Sequence, residues 1–281
     1  MARGRGSERI ALVVNDRAAP IGVFDSGIGG LTVVHELMRQ LPHERIIYFG
    51  DTARVPYGPK SPDTVRRYSR EIADFLVAQG VKAVVVACNT ATAHALPTLR
   101  GDLPVPVVGV VDPGARAAVA ASASGRIGVI GTMGTINSGA YERAIRAITP
   151  DATITTRACP LFVPLVEEGW TEHEATRVVA REYLEPMARA NVDALVLGCT
   201  HYPLLKPLLA EVLGSSVRLI DSAEETAAET GRVLERLDLC ARPGGVPTYR
   251  FVASDAPEQF LRLGQRFLGE TVERVDTVTL G

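Results

Sequence analysis

The sequence predicts an α/β fold of two similar doubly wound parallel-sheet domains, with the active site in the cleft between them. Three observations point there. Short apolar runs alternate with helical patterns from Pro20 onward, and the opening run has a weak copy further along the chain. In addition, Cys88 and Cys199, 111 residues apart, each close a matching strand. Strands alternating with helices mean parallel sheets, because parallel neighbours need a crossover between them.

The elements follow in order. Strands are predicted over 21–24, 45–49, 81–87, 105–110, 127–130, 152–156, 194–197 and 217–220, each a short run rich in Val, Ile, Leu or aromatic residues. Helices are predicted over 31–40, 61–79, 115–121, 139–148, 172–190, 203–213 and 223–237, and the tail reads strand, helix, strand. A further helix begins directly after Cys88. Ile21-Gly-Val-Phe-Asp-Ser-Gly resembles Ile127-Gly-Val-Ile-Gly-Thr-Met in pattern and turn residues, at an offset of 106 that is close to the cysteine offset. Two copies of one α/β unit are therefore expected, each supplying one thiol.

The expected division is a flexible N-terminal extension over 1–18, a first domain made of 19–113 and 223–281, and a second over 114–222. The boundary is placed near Asp112-Pro113-Gly114, where a strand would end in turn residues, with a return crossing near Asp221-Ser222.

With 281 residues and 46% hydrophobic content, the chain can bury one large core or two smaller ones. Thirty basic against 32 acidic residues leave a net charge of −2, which offers no footprint for nucleic acid or an anionic membrane. No stretch approaches the ~18 apolar residues of a spanning helix, and the apolar run at 10–14 is too short for a signal-peptide core. Small-molecule chemistry in the cytoplasm is expected. The four cysteines are dispersed, without the paired spacing of a zinc site, so they should remain thiols and no metal is expected.

Each of the two strand-closing cysteines follows an apolar run and a small residue and precedes polar residues: Val-Val-Val-Ala-Cys-Asn-Thr-Ala-Thr around Cys88, Leu-Val-Leu-Gly-Cys-Thr-His-Tyr-Pro around Cys199. In open α/β sheets ligands bind at that carboxyl end of the strands. A thiol at a helix start is expected to have its pKa lowered from ~8.5 by backbone N–H groups and the helix dipole. Cys159 and Cys240 lack this setting and read as small buried hydrophobes. A hydrolase needs one nucleophile and a base. Inverting a stereocentre needs an acid and a base of similar strength on opposite faces, and a thiolate facing a thiol meets that demand.

Five motifs, in order, closely resemble those of the glutamate racemases of the aspartate/glutamate racemase superfamily: Phe24-Asp-Ser-Gly-Ile-Gly-Gly-Leu31; Tyr48-Phe-Gly-Asp51 with Val55-Pro-Tyr-Gly58; Ala87-Cys-Asn-Thr-Ala-Thr92; Cys159-Pro-Leu-Phe-Val-Pro-Leu-Val-Glu167; and Gly198-Cys-Thr-His-Tyr-Pro203. The resemblance runs from about Ile21 to the end. It implies cofactor-independent racemisation of glutamate, supplying D-glutamate for peptidoglycan, by an enzyme that is often a homodimer. Cys88 would abstract the proton from D-glutamate and Cys199 from L-glutamate. Aspartate racemase, or a relative that binds an amino acid without turning it over, are the alternatives.

The resemblance also assigns supporting residues. Asp25 would bind the substrate ammonium or assist Cys88, although an Asp there also serves as a turn or cap residue. Ser26 would contribute a hydroxyl. Tyr57 and Gly58 lie in a proline-flanked loop that would form a substrate-contacting lip. Asn89, Thr90, Thr200 and His201 directly follow the cysteines, where helix starts hold carboxylates or are simply capped. His201 would tune Cys199. Glu167 would assist on the same side or sit solvated at the surface. Gly27, Gly29 and Gly30 lack the full dinucleotide fingerprint and read as room for close backbone approach. The chain has three lysines, Lys60, Lys82 and Lys206, and none sits in a recognisable phosphate site for a Schiff-base cofactor, so no cofactor is expected.

Overall fold

A computed structural model describes residues 16–268 and 271–280. Among the described residues, ten strands form two parallel sheets. The first has the order β10-β9-β2-β1-β3-β4, built from β1 (Ile21–Asp25), β2 (Ile46–Gly50), β3 (Ala83–Val86), β4 (Val107–Gly109), β9 (Tyr249–Ala253) and β10 (Val275–Thr277). The second has the order β6-β5-β7-β8, from β5 (Arg126–Gly131), β6 (Thr153–Ala158), β7 (Ala194–Gly198) and β8 (Arg218–Asp221).

The repeat seen in the sequence is a repeat of topology. β1 lies between β2 and β3 as β5 lies between β6 and β7, with a fourth strand beyond in each case. Registers match as well: Phe24 pairs with Val86, two residues before Cys88, and Ile130 pairs with Leu197, two residues before Cys199. The two thiols therefore leave equivalent strands at equivalent heights.

Each sheet is covered on both faces, which is why its central strands read as continuous apolar runs and not as alternating ones. On the first sheet, one core gathers Val23, Val85 and Leu37 with helix α11 (Pro257–Leu268), and the other gathers Phe24, Val86, Ile72 and Leu96. On the second, Leu195 and Leu197 face one core, Val129 and Val196 the other. At ~25 cal/mol per Å² of apolar surface, these four clusters are the main stabilising term.

Helix α1 (Leu31–Gln40) has the predicted bounds, and α2 (Pro62–Ala78) is fixed at its start by Ser61, which accepts from the Thr64 N–H, and by Pro62 at the first helical position. The helix after Cys88, which sequence reasoning left without bounds, is α3 (Asn89–Asp102). Pro97 interrupts its interior and its apolar stripe is weak, so periodicity hardly marks it. The expected strand-to-turn boundary at Asp112-Pro113-Gly114 is instead the first turn of α4 (Val111–Ala121). Pro113 is tolerated there because the first N–H groups of a helix have no intrahelical partner. Two short helices escaped prediction, α5 (Met133–Asn137) and α7 (Phe162–Glu167); between them lies α6 (Ala140–Ile148). α8 (Glu174–Arg189), a 3₁₀ turn (Tyr202–Leu205), α9 (Lys206–Leu213) and α10 (Ser222–Arg236) complete the set.

Residues 1–15 of the expected N-terminal extension lie outside the described residues. Residues 16–18 are already tied to the fold: the Arg17 carbonyl accepts from Lys82 Nζ at 2.8 Å. No helix among the described residues is long and apolar enough to cross a membrane.

Candidate active site

The carboxyl ends of β1, β3, β5 and β7 converge on one narrow cavity. Ser26, Tyr57, Gly58, Cys88, Asn89 and Thr90 line it from the first sheet, and Thr132, Val163, Cys199, Thr200 and His201 from the second. Its free space is about 30 Å³, room for no more than a water or two, so the walls stand close together around the two sulfurs. Both sulfurs are buried, Cys88 5% and Cys199 6% exposed as residues.

Cys88 is the N-cap of α3, and its sulfur accepts from the Ala91 N–H at 3.4 Å and sits 3.8 Å from Ser26 Oγ. The expected lowering of its pKa does not follow. Burial first, and then the Asp25 carboxylate, push the Cys88 thiol up to about 12, outweighing the Ala91 and Ser26 contacts. At this helix start the desolvation cost of a buried charge exceeds what the N–H contact returns. Cys199 has different company. His201 Nδ1 lies 3.9 Å from its sulfur, and His201 Nε2 is 2.9 Å from Glu167 Oε1. Burial works against a charged imidazole, yet the contacts with Cys199 and Glu167 prevail and raise His201 to about 10, so it is an imidazolium at neutral pH.

Asp25 and Glu167 stand one layer behind the cavity wall. Asp25 is raised by burial, opposed by the His201 charge and by hydrogen bonds. It accepts from the Gly27 N–H at 2.9 Å and from Thr200 Oγ1 at 3.3 Å, so it serves as a turn residue and joins the two halves at once. Glu167, at the end of α7, keeps a third of its side chain exposed while it engages His201.

Asn89 and Thr90 face the second half. Tyr141 OH donates to Asn89 Oδ1 at 2.7 Å, while Asn89 Nδ2 is buried without a hydrogen-bond partner. Thr90 Oγ1 meets Thr132 Oγ1 at 2.8 Å and Thr135 Oγ1 at 3.3 Å, a hydroxyl triangle that docks α5 on α3. Tyr57 is held from below by Asp51, itself fully buried and bonded to Arg54 and to Ser254 Oγ. The lip is therefore braced by a polar network. Gly29 shows why the Ser26–Gly30 turn is rich in glycine: a Cβ there would overlap the Thr200 hydroxyl and the His201 ring.

Sequence reasoning missed Thr132, Val163, Val55 and Pro56 in the lining. Thr132 was within reach, since it stands at the end of β5 as Ser26 does after β1. Lys82 is fully buried against Glu44 at 2.5 Å, just before β3 begins, at the opposite end of that strand from Cys88. Lys206 pairs with Asp221 at 2.6 Å. Among the described residues, no three His, Cys, Asp or Glu side chains gather as a metal-ligand set.

The Asp/Glu/Hydantoin racemase family profile matches residues 21–230. The chain belongs to the Asp/Glu/Hydantoin racemase family. Within that family it is similar to the glutamate racemase of Geobacter metallireducens, 55% identical over 92% of this chain and 96% of that one. Among solved structures, the glutamate racemase of Thermus thermophilus in complex with β-chloro-D-alanine is 52% identical with a TM-score of 0.86, and covers 94% of this chain and 98% of that one. The Francisella tularensis glutamate racemase in complex with D-glutamate is 40% identical with a TM-score of 0.88, over the same shares. The two-sheet α/β topology is shared with these solved relatives.

Proposed function

We propose that this chain interconverts L- and D-glutamate without a cofactor, using Cys88 and Cys199 as the two bases. The observation that carries this reading is the delivery of two buried thiols, from equivalent strand ends of two equivalent sheets, into one cavity. Relatives named glutamate racemase, one of them solved with D-glutamate, supply the substrate.

In this reading the partnerless Asn89 Nδ2 and the N–H groups at the start of α3 hold the substrate carboxylate. The substrate ammonium faces Asp25. A cation there cancels the carboxylate field, which after burial is the largest cause keeping Cys88 protonated. Cys199 removes the α-proton from one face, the Cys88 S–H then delivers its proton to the other face of the carbanion, and the return reaction exchanges the roles. A cleft closed over the substrate would exclude water and strengthen each of these electrostatic contacts. The D-glutamate so formed would supply peptidoglycan synthesis in the cytoplasm, as the resemblance implies.

The test is incubation with each enantiomer of glutamate and of aspartate in D₂O without added cofactor, following α-deuterium and optical rotation. Glutamate should racemise with deuterium at Cα. Exchange with aspartate alone would point to an aspartate racemase, and tight binding without exchange to a binding protein. Cys88→Ser and Cys199→Ser should each lower racemisation by about 10²–10⁴-fold. Each variant should still wash deuterium into one enantiomer only, and opposite ones. Near-normal racemisation by either variant would sink the two-base assignment.

A further inference from the structure

α11 packs on the first sheet, with Phe260 and Leu263 in the core around Val23 and Val85. Its last turn nevertheless reaches the second half. Arg266 Nη1 donates to the Glu167 carbonyl oxygen at 2.8 Å, at the carboxyl end of α7, where a cation suits the free carbonyls. Gly169 has φ +79°, and a Cβ there would lie 2.9 Å from Arg266 Nη1, so this left-handed glycine leaves the guanidinium its place. The next residue, Phe267, packs against a core of each half, and its ring stands edge-on to the His201 imidazole, centroids 6.1 Å apart at 89°. One helix end thus touches both members of the pair that partners Cys199. The partners of Cys88, namely Ser26, Asp25 and the Ala91 N–H, all come from its own half.

We propose that Arg266 and Phe267 are positioning residues that hold Glu167 and His201 in register with Cys199, so that proton transfer on that face alone depends on how α11 is seated. The proposal rests on the racemase reading above. It also predicts an asymmetry that rates cannot show. Enantiomers have equal free energies in water, so kcat/KM is the same in both directions for every variant. Isotope effects distinguish the faces.

In Arg266→Ala and Phe267→Leu, kcat/KM should fall about tenfold, the scale of a modest misplacement of reacting groups. The primary isotope effect on kcat/KM should rise with α-deuterated L-glutamate, whose proton Cys199 abstracts, and fall with α-deuterated D-glutamate. Arg266→Lys, which keeps a donor, should recover part of both, and Glu167→Gln should show the same asymmetry. Isotope effects that change equally in the two directions, or not at all, would overturn the proposal. A second measurement stands apart from activity. The His201 Nε2 proton should be a slowly exchanging downfield NMR signal in the unaltered chain and should exchange at least about tenfold faster in both variants. An unchanged signal refutes the positioning role even if glutamate proves not to be the substrate; failure of the unaltered chain to racemise glutamate refutes only the racemase reading.

Discussion

Cys88 carries an N–H donor on its sulfur and still keeps its proton to about pH 12, whereas His201, equally enclosed, keeps its proton to about 10. The contrast comes from neighbours. Cys88 faces a carboxylate, and His201 lies between a carboxylate and a sulfur. The sequence shows that a thiol stands at a helix start; it does not show that Asp25, more than sixty residues earlier, supplies a second reason for the thiol to stay neutral. Glu167→Gln tests the other side. The folded pKa of His201 is raised from 6.5 to about 10, so the pair's stabilisation is fully present below about pH 6.5 and is lost as pH rises through about 10. Glu167→Gln should therefore lower stability at pH 7 by on the order of 1 kcal/mol, because water screens a carboxylate one-third exposed. The deficit should vanish above about pH 10. Denaturant unfolding at the two pH values measures it, and a deficit that persists undiminished at high pH would contradict the ion pair.

At the scale of elements, strands were legible because central strands of a parallel sheet must be apolar throughout, and α1 and α2 because their stripes are strong. α5 and α7, of five and six residues, are too short to show a period, yet they carry Thr135 and Glu167 to the cavity's edge. What made the Ser26–Gly30 turn readable in part was its glycines, although only the structure shows the neighbour each one spares. Gly29→Ala is the sharpest case. Its methyl group would collide with Thr200 and His201, which belong to the other half. The variant should lose about 10²-fold or more in turnover and about 1–3 kcal/mol in stability. Steady-state rates together with thermal melts would show both losses; a fully active variant would mean that the two halves can separate at this contact without cost.

For the molecule as a whole, the duplicated topology could be read from the offsets, while the buried pair beneath the first sheet could not. Lys82 and Glu44 meet at the amino ends of the strands, where the Glu44 carboxylate also accepts from the Ala241 N–H and Lys82 donates to the Arg17 carbonyl. Four separate chain segments are pinned there. Lys82→Met should cost about 3–5 kcal/mol by stranding a buried carboxylate, and adding Glu44→Gln should restore most of it, since the amide still accepts from Ala241. Urea midpoints of the single and double variants decide the matter, and additive losses would rule the pairing out.

The chain leaves the first sheet after β4 and comes back to it after β8. Both passages run straight into helices, α4 and α10, that pack against each other. A single tether would let one half twist freely about the other. Two tethers side by side behave like the paired knuckles of a door hinge: they suppress twisting and sliding and leave a single swing as the softest motion. An opening of the two halves would then bring the sulfur-bearing strand ends back along the same arc, their spacing restored by the connectivity of the backbone.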